Sequence, residues 1–279
     1  MEHGGRASGG RVLTDDEIAA FIEDGYIVLR QAFPRVLAER ILPMVWAELG
    51  IDPNDRTDRR EAMLMLEKVI DTPPVPDIYT ERYFGAIDDL CGRGRGRASR
   101  GAGYWPIRFP GFANPPWQPP RGGWHLDGRL EHCRLGAPDR GLVGLELFTP
   151  IAQYDGGTAI RVGSHRDTAR VLYAAEPLGL SQRDLNLQVR AASDHRHVIE
   201  MTGDAGDVVL MHPYTVHAAS ANTWSRVRIL ANKPFWLHSP MDLARTDPAD
   251  CSAVERAVVD ALSPTQLVGP TTTNRSVHA

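Results

Sequence analysis

The stretch Trp124-His125-Leu126-Asp127-Gly128 is the most informative segment of this sequence. It has the pattern of a short strand, in which successive side chains point to opposite faces. His125 and Asp127 therefore share one face, while Trp124 and Leu126 share the other. An imidazole and a carboxylate on one face provide two metal ligands from a single strand. The third ligand must then come from a strand that is distant in the sequence.

The best candidate for the third ligand is His217, which follows a predicted buried strand at Val208–Met211. His212 lies a few residues earlier and is the alternative. Two histidines and one carboxylate with open coordination positions are typical of non-haem Fe(II) oxygenases. They suit iron better than the closed, thiolate-rich sites of structural zinc. The pattern therefore predicts an iron site, with His125, Asp127 and His217 as both metal ligands and catalytic centre.

From about residue 104 onward, the sequence consists of short runs of β-forming residues bounded by Gly, Pro and Asp. Many short strands with turn signals between them favour a sandwich or barrel over βαβ units. We therefore predict a mainly β fold with flanking helices. A jelly roll of this kind has a mouth where residues from distant strands can meet. The predicted strands are 123–127, 142–149, 158–162, 197–201, 208–211 and 227–235.

Helices are predicted mainly before this β-rich part. Thr14-Asp15-Asp16-Glu17 is a capping box that begins a helix reaching about Glu23, and a strand follows at Tyr26–Leu29. Helical spacing of apolar residues predicts further helices over 36–49 and 60–70. A second capping box, Ser252-Ala253-Val254-Glu255, begins a last short helix. We expect a disordered leader over 1–13, one domain over 14–262 with its β core at about 104–240, and a flexible tail over 263–279.

Composition excludes several classes of partner. The formal net charge of −4 over 279 residues gives no broad basic face for nucleic acid or an anionic membrane. Three widely spaced cysteines form neither a disulfide framework nor a zinc motif, which fits a reducing cytoplasm. No apolar run approaches the length of a membrane span. The one basic run, from Arg93 to Arg100, is interpreted as a solvated loop. The oligomeric state stays open.

An arginine near the end of the β-rich part suggests a co-substrate. Fe(II) centres that activate O2 commonly use 2-oxoglutarate, which chelates the metal through its keto-acid end and leaves a distal carboxylate that needs a cation. Arg228 lies in the predicted strand after His217, and its planar guanidinium suits a carboxylate. Arg226 shares the same strand face and is the fallback.

Taken in order, these elements resemble the phytanoyl-CoA dioxygenase family of Fe(II)/2-oxoglutarate oxygenases. The resemblance runs from Thr14 to about Trp236, and its motifs are the opening helix leading into Asp24-Gly25-Tyr26-Ile27-Val28-Leu29, the His125/Asp127 pair, Gly156-Gly157-Thr158, Gly163-Ser164-His165, Gly206-Asp207, His217, Asn222 and Arg228. It implies a double-stranded β-helix of the cupin-like, jelly-roll type. It also implies iron on His125, Asp127 and His217, with 2-oxoglutarate anchored by Arg228.

The resemblance has one departure and further implications for the site. The family often has Ser two residues after the distal histidine, where this chain has Ala219, so Ser220 is the candidate replacement beside Thr158. Because Asp127 is present, the resemblance implies hydroxylation or another oxidation with O2, rather than the halogenation of relatives that lack this carboxylate. Two alternatives stay open: a zinc-dependent hydrolase or isomerase using the same ligands, and a catalytically silent metal-binding module.

An aromatic segment just before the first ligands bears on the substrate. Residues 104–124 contain many large rings, which form either a structural cover or a substrate wall. From this segment we predict that Trp105 and Trp117 contact substrate. Arg129, just after the ligand pair, is predicted to meet an anionic group. The expected partner is a small or medium organic molecule with an apolar part.

Overall fold

The computed structural model describes residues 10–53, 61–97, 99–128, 132–245, 247 and 250–263. The predicted substrate residue Arg129 lies outside these residues, as do most of the expected leader and tail. Within the described residues, no helix is both long and apolar enough to cross a membrane.

The described fold has six α-helices, a short 3-10 helix at Val75–Ile78 and ten strands. The helices are α1 (Asp15–Asp24), α2 (Arg35–Leu49), α3 (Glu81–Cys91), α4 (Ser164–Ala174), α5 (Gln182–Ala192) and α6 (Ala253–Leu262). The strands are β1 (Tyr26–Leu29), β2 (Met63–Leu66), β3 (Gly96–Arg97), β4 (Trp105–Arg108), β5 (Leu142–Leu147), β6 (Ala159–Arg161), β7 (Val198–Glu200), β8 (Val208–Met211), β9 (His217–Ala218) and β10 (Arg228–Leu237).

The strands form two antiparallel sheets. The main sheet has the order β1-β8-β5-β10-β4-β2, with β3 pairing to the far end of β10. The smaller sheet has the order β7-β6-β9. Long β10 pairs with β5 along Leu230↔Leu147 to Phe235↔Leu142, and with β4 at its first residues. Sequentially distant strands are therefore neighbours, as the jelly-roll prediction requires.

Alternation along the strands of the main sheet creates two cores. On one face, Val143, Leu145 and Leu230 pack with Ile160 of the smaller sheet in a cluster between the sheets. The intervening residues Leu142, Ala231 and Phe235 belong to a larger cluster that includes the apolar sides of the helices. Because strand side chains alternate faces, β10 directs Arg228, Leu230 and Asn232 to the inter-sheet side.

Local capping explains the helix boundaries at both ends of the domain. Thr14 accepts a hydrogen bond from the Glu17 N–H and Ser252 accepts one from the Glu255 N–H, and both capping boxes are complete. The basic run is partly structural, because Arg95 pairs with buried Glu255 of α6 at 2.7 Å. Arg100 lies over the Phe84 ring, 5.3 Å from its centroid.

The helix predicted over residues 60–70 is wrong. Residues 54–60 lie outside the described residues, and Met63–Leu66 form strand β2, which pairs with β4 at the edge of the main sheet. The run Met-Leu-Met-Leu satisfies helical spacing and strand pairing equally well, so tertiary pairing decides its conformation. The predicted strand 123–127 is also shorter than expected, since only His125 forms a ladder bridge, to His217. Helices α3, α4 and α5 were not predicted.

Candidate metal centre

The two histidines of the candidate metal site are joined through their backbones. The His125 N–H donates to the His217 carbonyl at 2.9 Å, and the His217 N–H donates to the His125 carbonyl at 3.1 Å. This bridge lies beside the smaller sheet, where Ile160 of β6 pairs with His217 of β9. The two imidazole rings consequently lie side by side, with their centroids 4.6 Å apart.

Both imidazoles are fixed so that Nε2 faces Asp127. His125 Nδ1 lies 2.7 Å from the Gly123 carbonyl and His217 Nδ1 lies 3.0 Å from the Thr215 carbonyl, so in each ring Nδ1 is the protonated donor. The Nε2 atoms lie 3.5 Å and 3.4 Å from the two Asp127 carboxylate oxygens. One ligand atom from each of the three residues lies within 4.8 Å of the others. This donor set fits Fe(II) and leaves coordination positions open.

Electrostatics favour the ionised form of the Asp127 carboxylate. Burial by itself would raise the pKa of Asp127, but the charge of His217 and hydrogen bonds from both histidines hold this pKa well below its usual value. Burial likewise opposes charge on His217, yet Asp127 outweighs it and raises the pKa of His217. Asn232 Nδ2 also donates to Asp127 Oδ2 at 3.0 Å. The carboxylate is therefore ionised and held in orientation.

Helix α5 holds the ligand segment by its main chain. Asn186 Oδ1 accepts the Leu126 N–H at 2.8 Å, and Gln182 Nε2 donates to the Leu126 carbonyl at 2.9 Å. One turn further along the helix, Arg190 Nε donates to the Trp124 carbonyl. These three residues recur every fourth position and so lie on one face of α5. The segment between the ligands therefore obtains its hydrogen bonds from a helix rather than from a sheet.

Arg140 supports the same segment from the other end. Its Nη1 donates to the Asp127 carbonyl at 2.8 Å, and its Nη2 contacts both Cys133 Sγ and Gln182 Oε1. Gly128 lies against the Arg140 guanidinium with φ +126°, and a Cβ on this residue would lie only 2.9 Å from Nη2. The glycine after the ligand pair is thus required by conformation and by the close approach of the guanidinium.

Arg228 is fully buried beside the Gly156–Gly157 turn. Its Nε donates to the Gly156 carbonyl at 3.0 Å, and its Nη1 donates to the Pro106 carbonyl at 2.7 Å. No carboxylate among the described residues forms an ion pair with it. Burial lowers the pKa of Arg228 to about 9, Arg108 adds repulsion and Glu200 partly offsets both. A buried guanidinium without an anion is costly, and an anionic ligand relieves that cost.

The other two predicted co-substrate residues adjoin the same turn. Ser220 Oγ donates to the Gly157 carbonyl at 2.6 Å, and Thr158 is buried just before β6. Ser220 Oγ also accepts the Trp117 Nε1 hydrogen at 3.0 Å. The Ser220 hydroxyl therefore already has two protein partners. Arg228 and Ser220 therefore both donate to carbonyls of the Gly156–Gly157 turn, and Thr158 directly follows that turn.

Arg226 and His212, the alternative candidates for the co-substrate anchor and the third metal ligand, contact other parts of the protein. Arg226 precedes β10, is about half exposed and pairs with buried Asp155 at 2.8 Å. His212 is completely buried, with Nε2 3.2 Å from the Val254 carbonyl of α6 and Nδ1 accepting the Tyr214 N–H. Among the described residues, the cluster of possible metal ligands does not include His212.

The two predicted substrate rings take structural positions. Trp105 has no exposed surface, donates to the Lys68 carbonyl at 3.1 Å and lies against Phe148 with ring centroids 4.8 Å apart. Trp117 is half-buried and directs Nε1 at Ser220. Neither ring lines the cavity beside His125 and Asp127, and the alternation of β4 turns Trp105 into the core. The cavity is instead lined by Tyr104, the neighbour of Trp105 in the sequence. The contact of Trp117 with substrate stays a prediction.

Several site residues were missed at the sequence level. Asn232 carried a usable signal, since it shares a strand face with Arg228 in the predicted strand 227–235 and is polar in an apolar run. Arg140 and the α5 residues carried none, because their contacts depend on packing between distant segments. Only the Ser181 cap of α5, which accepts the Asp184 N–H, marks that helix locally.

The chain is similar to known proteins in part of its sequence and in its fold. Residues 103–229 match the phytanoyl-CoA dioxygenase (PhyH) family. The fold is similar to EctD from S. alaskensis in its apoform, at 17% identity and a TM-score of 0.53, over 85% of this chain and 81% of that chain. It is also similar to SnoK, a non-haem alpha-ketoglutarate-dependent carbocyclase from nogalamycin biosynthesis. The identity is 18% and the TM-score 0.52, over 82% of this chain and 87% of that chain. These likenesses confirm the predicted fold class. No curated protein sequence matches the chain.

Proposed function

We propose that the protein is a 2-oxoglutarate-dependent non-haem iron dioxygenase that hydroxylates a small organic metabolite. The match of residues 103–229 to the phytanoyl-CoA dioxygenase (PhyH) family supports this proposal. Succinate and CO2 are the proposed co-products. We also propose a cytoplasmic location, which the three free cysteines support.

The observation that carries this proposal is the convergence of His125, Asp127 and His217. Each imidazole is anchored through Nδ1 and presents Nε2, and one ligand atom of each residue lies within 4.8 Å of the others. Fe(II) bound there with 2-oxoglutarate supplies activation of O2. The chain supplies position: Asn232 orients the carboxylate, and α5 holds the backbone between the ligands. Placement of the substrate against this centre then decides the product.

Arg228 is the proposed anchor for the distal carboxylate of 2-oxoglutarate. A buried guanidinium that pairs with no carboxylate among the described residues is suited to a dicarboxylate. Thr158 directly follows the Gly156–Gly157 turn and Ser220 donates to the Gly157 carbonyl, and we propose that both residues border the co-substrate. A small-molecule substrate is supported by the cavity of about 600 Å³ that adjoins His125 and Asp127. The similar fold of EctD has been solved with 2-oxoglutarate and 5-hydroxyectoine.

The test is an anaerobic titration followed by exposure to air. The protein is loaded with Fe(II), and 2-oxoglutarate is then added while the visible spectrum is recorded. We expect a charge-transfer band only when both are present, followed by succinate formation in air. His125→Ala should abolish both signals. His132→Ala, which replaces an exposed histidine nearby, is the matched control and should retain them.

The alternatives give different results in the same experiment. A zinc-dependent hydrolase or isomerase would bind metal on the same ligands but would show no band and no need for Arg228. A catalytically silent module would bind Fe(II) and form no succinate. Either result would contradict the proposed dioxygenase activity.

A further inference from the structure

The peptide group between Gly156 and Gly157 lies between two side chains of opposite charge. Its N–H, on Gly157, donates to Glu200 Oε1 at 3.1 Å, and its carbonyl, on Gly156, accepts the Arg228 Nε hydrogen at 3.0 Å. A carboxylate at the N–H and a guanidinium at the carbonyl polarise the peptide in the same direction, which strengthens both hydrogen bonds. Glu200 and Arg228 are therefore connected by a relay of two hydrogen bonds across one peptide group.

Glu200, the last residue of β7, holds the rest of this turn by its main chain. Its Oε2 accepts the Tyr154 N–H at 2.7 Å, and its Oε1 accepts the Gly156 N–H at 2.9 Å in addition to that of Gly157. Burial raises the pKa of Glu200 and Asp155 adds to the rise, whereas the three N–H groups lower it. One carboxylate therefore satisfies three donors of a single turn, and its loss would leave partly buried N–H groups without a partner.

The two charges of the relay have no other counter-ion in the part of the chain that the structure describes. Glu200 forms no ion pair there with a basic side chain, and Arg228 forms none with a carboxylate. Asp155, the other carboxylate of the turn, pairs with Arg226 at 2.8 Å. Burial and the Arg108 charge lower the pKa of Arg228, and the charge of Glu200 opposes both effects. Glu200 thus stabilises the charged form of Arg228.

The two glycines allow the turn to reach Glu200. A Cβ on Gly157 would overlap the Met201 carbonyl oxygen, next to Glu200 in the sequence. Gly156 has φ +78°, and a Cβ on it would lie 3.0 Å from Asn222. A side chain at either position would move the turn away from the end of β7. The Gly-Gly pair is therefore explained by the close approach that the relay requires.

Resting on the proposed function, we propose that Glu200 is a positioning residue for the co-substrate. Through the Gly156–Gly157 peptide it holds the Arg228 guanidinium where the distal carboxylate of 2-oxoglutarate binds. Nε of Arg228 is fixed by this turn and Nη1 by the Pro106 carbonyl, which leaves Nη2 for a ligand. The charge of Glu200 by itself would repel a dicarboxylate. A role through space and a role through the turn therefore predict opposite changes when the charge is removed.

The first test measures the affinity of the full chain for 2-oxoglutarate. Protein loaded anaerobically with Fe(II) is titrated with 2-oxoglutarate, and the charge-transfer band reports binding. Glu200→Gln keeps the side-chain size but loses the charge and the acceptor of the Tyr154 N–H. We expect its dissociation constant to rise by about tenfold, the effect of losing one hydrogen bond to a charged group.

Two controls separate positioning from general damage. Succinate formation by Glu200→Gln at saturating 2-oxoglutarate should stay within about twofold of wild type, because the anchor acts on binding. Glu39→Gln removes an exposed carboxylate of α2 that pairs with Arg35, and should leave the affinity unchanged. Unchanged or tighter binding in Glu200→Gln would overturn the proposal.

A double variant tests whether Glu200 acts through Arg228. Arg228→Lys keeps a positive charge but has no counterpart of the Nε–H that donates to the Gly156 carbonyl. In this background Glu200→Gln should change the affinity by less than about twofold, because the relay is already broken. Effects of the two substitutions that multiply in the double variant would show that Glu200 acts independently, and would overturn the proposal equally.

A second measurement needs neither metal nor co-substrate. Glycine labelled with 15N and with 13C at the carbonyl isolates by NMR the four amides that follow another glycine, Gly157 among them. In metal-free protein, Glu200→Gln and Arg228→Lys should move the same one of these signals upfield, and Glu39→Gln should move none. Shifts of different signals in the two variants, or of none, would overturn the relay. A wild-type protein that shows this relay but no charge-transfer band would instead contradict the proposed function.

Discussion

Asn232 donates an amide hydrogen to Asp127 Oδ2 across 3.0 Å, which ties strand β10 to the carboxylate of the metal site. The same strand carries Arg228 at its first residue, on the same face. One strand therefore connects the metal ligands with the proposed co-substrate anchor, and the distance between them is set by strand geometry.

Asn232→Ala should weaken metal binding while the fold is kept. Without the amide, Asp127 Oδ2 loses the group that orients it, and loss of such a partner typically lowers metal affinity about 10- to 100-fold. Anaerobic calorimetric titration with Fe(II) measures the affinity, and circular dichroism checks the fold. Wild-type affinity in Asn232→Ala would show that the histidines alone orient the carboxylate.

Asn186 provides a test of the α5 contact with matched variants. Asn186→Asp keeps an oxygen that can accept the Leu126 N–H, whereas Asn186→Leu leaves this N–H without its partner. We expect Fe(II) affinity to be retained in the aspartate variant and lowered about tenfold or more in the leucine variant. Equal affinities in the two variants would mean that α5 does not position the ligand segment.

Arg228→Ala should raise the half-saturating concentration of 2-oxoglutarate by more than about tenfold, because truncating one partner of a buried charge pair typically costs about 2–5 kcal/mol. Arg226→Ala is the matched control, since Arg226 is half exposed and already paired with Asp155. Succinate formation at varied 2-oxoglutarate measures both. An unchanged dependence in Arg228→Ala, or a defect in Arg226→Ala alone, would contradict the assignment.

His212 should affect acid stability and leave metal binding unchanged. Burial lowers the pKa of His212 from 6.5 to about 3, so the unfolded chain binds this proton at a higher pH than the folded protein. The free energy of unfolding should therefore fall as the pH drops below about 6.5.

His212→Asn removes this titration and keeps an oxygen for the Tyr214 N–H. It should reduce the slope by up to about 1.4 kcal/mol per pH unit. Urea unfolding of metal-free protein at several pH values measures the slope, with His132→Asn as the exposed control. A wild-type slope in His212→Asn, or loss of Fe(II) binding in that variant, would contradict this account.

Alanine variants of Trp105 and Trp236 should distinguish an effect on stability from an effect on substrate placement. Trp105→Ala removes a fully buried ring and should lower the free energy of unfolding by about 3–5 kcal/mol. Trp236→Ala, in the lining of the cavity beside the ligands, should change stability little but form succinate without a matching amount of product. If Trp236→Ala still forms product in proportion to succinate, Trp236 does not position the substrate.

Local signals predicted a large part of this fold. The Thr14 and Ser252 capping boxes define their helices, and the β8 strand has the predicted bounds Val208–Met211. The two-residue spacing of His125 and Asp127 brings both side chains to one site, even though only His125 forms a ladder bridge. In these places short-range chemistry and the final packing agree.

The supports of the site depend on contacts that no local pattern contains. The contact between α5 and residues 124–126 joins segments about sixty positions apart, and Arg140 meets Gln182 across 42 positions. The β2 strand was predicted wrongly for a different reason. The spacing of its apolar residues is compatible with a helix, and its pairing with β4 makes it a strand. Trp105 and Tyr104 differ by one position, yet Trp105 begins β4 and faces the core, whereas Tyr104 precedes the strand with φ +54° and lines the cavity.

The most direct measurement is an anomalous difference map at the iron absorption edge, from crystals grown anaerobically with Fe(II) and 2-oxoglutarate. The account predicts one strong iron peak within bonding distance of His125 Nε2, His217 Nε2 and the Asp127 carboxylate. A crystal with iron bound elsewhere, or with these three side chains clear of any metal peak, would contradict it.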